Sequence, residues 1–155
     1  MSSPQTRAVH RQDYLVFSSD NHLFAISTND ILRAIRIVAL TSVPEAPPLL
    51  RGMLTLSGKM VPVVDMNLRL GNPLRPITLD NRIILIKSER LFALLVESIL
   101  DVHSLSLEPQ QSAEMIYPEL ANYITGMAQL DSEAVILLNT ATMFSESVLE
   151  QEQIT

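Results

Sequence analysis

The chain has 155 residues, 47% hydrophobic, 18% charged and 5% aromatic, and its 11 basic against 17 acidic side chains leave a formal charge of −6. That length suits one soluble domain or two small intimate ones whose core needs no covalent staple. The absence of cysteine excludes a disulfide framework, thiolate metal sites and cysteine nucleophiles, and fits a reducing cytosol.

An isoelectric point near 4.9 opposes a nucleic-acid partner. The polar stretch Met1 to Arg11 and the lack of a long apolar run predict neither a signal peptide nor insertion into a membrane. The charge is unevenly spread, with residues 1–81 carrying +2 and residues 82–155 carrying −8. An electrically lopsided molecule is expected, by way of a solvated acidic face or a steering field.

Apolar runs of strand length then follow one another along the chain. Tyr14–Phe17 and Leu23–Ile26 flank the turn-forming Ser18-Ser19-Asp20-Asn21 and predict a hairpin. Ile31 to Leu40 alternates, with β-branched content that favours a strand directing Arg33 to water over a basic amphipathic helix. Arg51–Leu56 and Met60–Val64 surround Ser57-Gly58-Lys59, where Gly58 supplies the positive φ of a tight turn. Pro62 predicts an edge strand or a bulge. Asp65 starts a short helix that Gly71, Pro73 and Pro76 terminate. Arg82–Lys87 and Leu91–Val96 form a hairpin around Ser88-Glu89-Arg90, and Tyr123–Leu130 and Ala134–Leu138 another around Asp131-Ser132-Glu133. Asn139 then opens a helix near Thr140 to Glu150.

This order of elements is a duplication. Residues 14–35 align ungapped with 82–103, matching Leu23, Phe24, Ala25, Ile31 and Leu32 to Leu91, Phe92, Ala93, Ile99 and Leu100. Residues 51–65 align with 125–139, matching Gly52, Met53, Leu56 and Val61 to Gly126, Met127, Leu130 and Val135. Asp65 and Asn139 fall at the same place in the two halves. An N-cap explains that exchange, because either side-chain oxygen satisfies free helix N–H groups while Asn cannot act as a general base.

Catalytic constellations are missing from the pattern. His10, His22 and His103 have no metal-ligand spacing, and Asp101 with His103 on one strand face lacks a third ligand. No nucleophile elbow, P-loop or dinucleotide fingerprint occurs. No catalytic residue, metal site or cofactor is expected, and the chain reads as a binding module rather than an enzyme. Met53 and Met60, beside the Gly58 turn, offer an adaptable contact surface.

Val43-Pro44-Glu45-Ala46-Pro47-Pro48-Leu49-Leu50-Arg51-Gly52, then Gly58, Val61-Pro62-Val63-Val64-Asp65 and Leu68, resemble the central signature of the CheW-like domain of chemotaxis coupling proteins. Tyr123-Ile124-Thr125-Gly126 resembles its C-terminal signature, and the likeness runs from Asp13 to Leu149. The resemblance implies an all-β fold of two small five-stranded, SH3-like β-barrels sharing a hydrophobic core, with short helices. Domain bounds of 13–149 follow, between a flexible segment 1–12 and a tail 150–155.

It further implies a non-enzymatic adaptor, cytoplasmic and recruited to receptor arrays, whose partners are the tip of a methyl-accepting chemoreceptor and the regulatory domain of a CheA-type histidine kinase. By position, Arg51, Gly52, Met53 and Gly58 line the receptor-facing groove, and Ile35, Ile37 and Val38 lie near the kinase interface. Thr55-Leu56-Ser57-Gly58 stands where the family commonly has Asn-Leu-Arg-Gly, and Ala34 where an acidic residue is frequent. Such departures keep open a coupler for a twitching-motility or other non-flagellar array, or a stand-alone β-barrel binding module. Two barrels of opposite charge would suit head-to-tail contact.

Overall fold

The computed structural model describes residues 11–87, 90–106 and 117–143. Ten strands dominate it: β1 (Arg11–Ser19), β2 (His22–Ser27), β3 (Ile31–Arg36), β4 (Leu50–Leu56), β5 (Lys59–Asp65), β6 (Arg82–Lys87), β7 (Leu91–Val96), β8 (Ser98–Ser106), β9 (Ile124–Leu130) and β10 (Glu133–Leu138). Short helices cover Met66–Arg69 and Thr140–Met143, with 3-10 helices at Thr28–Asp30 and Pro118–Tyr123. The expected turn residues Ser88 and Glu89, the rest of the last helix, residues 1–10 and the tail lie outside the described residues. Arg11 and Gln12, expected in a flexible segment, instead open β1, opposite Ser106 and Leu105 of β8.

The strands form two five-stranded sheets, in the orders β8-β1-β2-β10-β9 and β3-β6-β7-β5-β4. Substituting each strand by its partner in the sequence duplication turns one order into the other. Each sheet is therefore built from both halves, taking the first hairpin of one and the remaining three strands of the other. The sheets are open rather than closed barrels. In the second, Thr41 of the β3–β4 link, not β3 itself, pairs with Met53 on the free edge of β4.

The repeat is in register at one pair of hairpins and slipped at the other. Pairs in β4–β5 such as Gly52↔Val63 and Leu54↔Val61 recur in β9–β10 as Gly126↔Leu137 and Ala128↔Val135, including the bulge beside the glycine. In the first hairpin Ser19 pairs with His22 across two residues, but Lys87 pairs with Leu91 across three. The extra loop residue moves β6 by one against the ungapped alignment, so Leu15 corresponds to Ile84 rather than Ile83. Burial confirms the slip, since Leu15, Phe17, Ile84 and Ile86 all enter the core shared by the sheets, whereas Ile83 and Leu85 enter the core of the second sheet.

That alternation explains why β1, β2, β6 and β7 are uninterrupted apolar runs: both of their faces are buried. The shared core packs Phe17 against Phe24 with ring centroids 5.7 Å apart and holds Phe92, Leu94, Ile136 and Leu138. Each such side chain contributes about 1.5–3 kcal/mol. Smaller cores lie within each sheet, around Val16, Leu105 and Val135 and around Leu54, Val63 and Leu95.

Pro62 departs from expectation, because β5 is an interior strand between β7 and β4. Met53 turns its N–H and C=O to Thr41 (2.8 and 2.7 Å), so its pair with Pro62 makes no mutual hydrogen bonds and the proline nitrogen faces β7. The parallel ladder to β7 begins only at Val63, where no N–H is required from Pro62.

Because the sheets interlace the halves, the half-chain charges are not sheet charges. The strands of the first sheet nevertheless carry Arg11 against Asp13, Asp101 and Glu133, and those of the second carry Arg33, Arg36, Arg51, Lys59, Arg82 and Lys87 against Asp65. The lopsidedness runs from sheet to sheet.

Candidate docking site beside the sheet seam

The β4–β5 hairpin turns through Ser57 and Gly58, at φ 51° and 80°, with both central residues left-handed. Asp131 and Ser132 do the same in β9–β10 at 48° and 72°, so the geometry at Gly58 does not demand glycine. Gly52 is different. A Cβ there would lie 3.0 Å from the Thr41 carbonyl oxygen and 3.1 Å from Leu40 Cβ, so the missing side chain lets the β3–β4 link lie against β4. Met53 is half-buried and Met60 is 49% exposed, leaving an apolar surface at this end of the second sheet.

Arg51 does not extend freely into solvent. Its Nη1 donates to Asp65 Oδ2 at 2.6 Å and its Nη2 to the Arg75 carbonyl at 2.9 Å, and its side chain is only 17% exposed. Asp65 uses the other carboxylate oxygen to accept the N–H groups of Asn67 (2.9 Å) and Leu68 (3.3 Å). Asn139 caps its own helix alike, accepting from Ala141 (3.0 Å) and Thr142 (3.4 Å). The position matching Arg51 in that half is Thr125. A buried carboxylate requires a counter-charge and a carboxamide does not, which accounts for the joint exchange of Arg–Asp for Thr–Asn.

Arg51, Asp65 and Asn67 form one wall of a cavity of about 170 Å³; the link after the first helix, from Arg75 to Thr78 and at Asn81, forms the rest with Leu95, Val96 and Glu97. Arg75 bonds Glu97 at 2.9 Å and approaches Asp20, in the β1–β2 turn, at 3.7 Å. Asp20 accepts the Tyr117 hydroxyl at 2.7 Å, and that hydroxyl also meets His22 Nδ1 at 2.9 Å. The Tyr117 hydrogen bond, aided by the Asn72 side chain and then by Arg75 and His22, holds the Asp20 carboxyl below the usual carboxylate range against a smaller opposing effect of burial. Burial, then the hydrogen bond to Asp20 and the charge of that carboxylate, pushes the Tyr117 phenol well above its ordinary value. This network crosses the seam, because Asp20 and His22 belong to the first sheet's hairpin and Arg75 to a link of the second.

In β3, Ile35 and, just beyond the strand, Ile37 pack against the second sheet's core, while Val38 is 43% exposed. Leu32 is the bulged residue opposite β6, and Leu100 is its counterpart opposite β1. Both are half exposed, at 51% and 46%, on the outer strand of their sheets. Sequence reasoning missed this pairing, although the alignment of Leu32 with Leu100 contained it. It also missed the network of Asp20, Arg75, Glu97 and Tyr117, which converge from separate loops with no shared motif. No group of three potential metal ligands occurs among the described residues.

Comparison with known proteins agrees with this architecture. The family model of the CheW-like domain matches residues 13–148. The chain is 26% identical over 141 residues to the chemotaxis protein CheW of Klebsiella aerogenes, covering 86% of this chain and 82% of that protein. It is 26% identical over 112 residues to the probable chemotaxis protein CheW of Rhizobium etli, covering 71% and 72%. The crystal structure of scaffolding protein TtCheW from Thermoanaerobacter tengcongensis superposes with a TM-score of 0.78 at 25% identity, over 88% of this chain and 94% of that one. With a family model spanning nearly its whole length and the same two-sheet body, the chain belongs to the CheW-like domain family.

Proposed function

We propose that the protein is a non-enzymatic coupling adaptor of chemotaxis signalling that binds a chemoreceptor tip and the regulatory domain of a CheA-type histidine kinase at once. The observation that carries this reading is the family match across residues 13–148, reinforced by relatives that are themselves chemotaxis CheW proteins. The surface supports it. The hairpin around Met53 and Met60 and the cavity beside Arg51 offer one docking region, and the outer strand β3 with Leu32 and Val38 offers a second. An adaptor with two docking regions acts by favouring one arrangement of its partners, through its differential affinity for that arrangement.

Within this reading Gly52 serves the receptor side by letting the β3–β4 link pack on β4, and Met53 and the Gly58 turn shape the surface beside it. Ile35 and Ile37 support the kinase side from beneath, and Val38 meets the partner. The test is binding of immobilised protein to a purified kinase regulatory domain and to a soluble receptor-tip fragment, singly and together. Simultaneous, non-competing binding is expected. Binding to neither contradicts the reading.

A further inference from the structure

The link from Gly71 to Asn81 has no regular secondary structure and exposes Leu74 and Leu79, yet it forms one side of the cavity and carries Arg75 to the sheet seam. Its ends are fastened, by Asn72 N–H to the Asn67 carbonyl at 2.9 Å and by Thr78 N–H to Asn81 Oδ1 at 2.8 Å. Between them the main chain is held by Arg51, whose Nη2 donates to the Arg75 carbonyl at 2.9 Å while Nη1 is anchored on Asp65. From there the Arg75 guanidinium reaches Glu97 and Asp20. Glu97 is itself tied to both sides, its N–H to the Ser18 carbonyl of β1 (3.2 Å) and its carbonyl to Asn81 Nδ2 (3.2 Å).

We propose that Arg51 is a positioning residue: it serves docking by clamping the 72–78 link, which carries Arg75 to the seam, not by touching a partner. Two features of the fold point to this. The guanidinium fork spends its two ends inside the molecule on a 17% exposed side chain, which leaves little of it for a partner. And in the other half of the duplication, where Asn139 needs no counter-charge, Thr125 bonds the Leu137 carbonyl of the adjoining strand at 3.3 Å, whereas Arg51 reaches beyond its counter-ion to the main chain of a separate link. The clamp fixes where Arg75 sits, and Arg75 joins the β1–β2 turn of one sheet to the link of the other. Loss of the clamp therefore loosens the wall of the docking cavity while the strands stay paired.

The role in docking rests on the coupling reading; the clamp itself does not. The test compares wild type, R51K and the double variant R51T/D65N, which copies the pair present at Thr125 and Asn139 and so suits this turn. Amide hydrogen exchange is followed at Asn72 and Thr78, the hydrogen-bonded amides on either side of the clamped Arg75 carbonyl, and affinity is measured for a soluble receptor-tip fragment. Exchange at Asn72 and Thr78 is expected to accelerate at least tenfold in the double variant, with the β4 and β5 amides still protected, and receptor affinity is expected to fall at least fivefold through faster dissociation. R51K, which keeps the charge but not the fork, is expected to behave like the double variant. Unchanged exchange in both variants overturns the clamp. Faster exchange with unaltered affinity overturns the role in docking, as does full affinity in R51K with loss only in R51T/D65N, the pattern of a direct charge contact. Wild-type protein with no receptor affinity contradicts the coupling reading instead, and exchange alone then decides the clamp.

Discussion

Two glycines in one hairpin should respond unequally to alanine. At Gly58 nothing lies within 4 Å of an added Cβ, and Ser132 occupies the matching turn position at φ 72°. The cost there is the left-handed conformation alone, about 1–2 kcal/mol, partly offset by about 0.4–1 kcal/mol from a stiffer unfolded chain. Gly58→Ala should therefore lose less than about 1.5 kcal/mol, and Gly58→Val, β-branched at positive φ, about 1–3 kcal/mol. At Gly52 the new carbon meets main chain, 3.0 Å from the Thr41 carbonyl oxygen, and the link must retreat. That retreat strains or breaks the two Thr41–Met53 hydrogen bonds of 2.7 and 2.8 Å. At about 1 kcal/mol each, with packing of the link lost as well, Gly52→Ala should cost about 2–4 kcal/mol. Urea unfolding with matched m-values measures both. A Gly52→Ala protein as stable as Gly58→Ala would refute the close-approach argument.

Tyr117→Phe should lower stability by about 1 kcal/mol at neutral pH by removing the donor to Asp20. Because the folded Asp20 pKa lies below its unfolded value, that stabilisation is present above the unfolded pKa and lost as pH falls through the folded one; urea midpoints of variant and wild type should converge in acid, and a constant gap would contradict the assignment. Val38→Asp should leave stability within about 0.5 kcal/mol and weaken the kinase regulatory domain, whereas Ile35→Asp, packed on the sheet core, should destabilise the fold itself; thermal unfolding beside binding isotherms separates the two. The charge difference between the sheets should make association with the regulatory domain slow as salt rises toward physiological strength, where the Debye length is about 8 Å. Changing Asp131 and Glu133 to Lys should alter that slope in stopped-flow rates, and salt-independent rates in both proteins would remove the electrostatic contribution.

The fold was legible wherever it is local. Apolar runs parted by turn-forming breaks of three or four residues marked the β1–β2, β4–β5 and β9–β10 hairpins, which the structure closes with two-residue turns, and the alignment of 51–65 with 125–139 reproduced even the bulge beside Gly52 and Gly126. It slipped at β1 and β6 because the extra residue between Lys87 and Leu91 leaves both runs apolar, and a run buried on both faces does not reveal its parity. The exchange of strands between halves was not legible, because neighbours such as β2 and β10 are more than a hundred residues apart. The caps Asp65 and Asn139 could be read from their exchange, but the partner of Asp65 could not. Arg51 lies 14 residues away across a hairpin, and a lone arginine near a turn carries no mark of facing inward. Asp20, Arg75, Glu97 and Tyr117 come from separate loops that only the folded sheets bring together.

On the coupling proposal, this chain transmits receptor state to a kinase without chemistry of its own. The most direct measurement is the autophosphorylation rate of a purified CheA-type kinase with receptor signalling fragments, titrated with this protein. The rate should change saturably with added protein only when both partners are present, and Gly52→Ala should shift the titration to higher concentration to the extent that it weakens docking. A kinase rate unaltered across the whole titration, with both partners shown to be active beside a coupling protein of their own, would contradict the account.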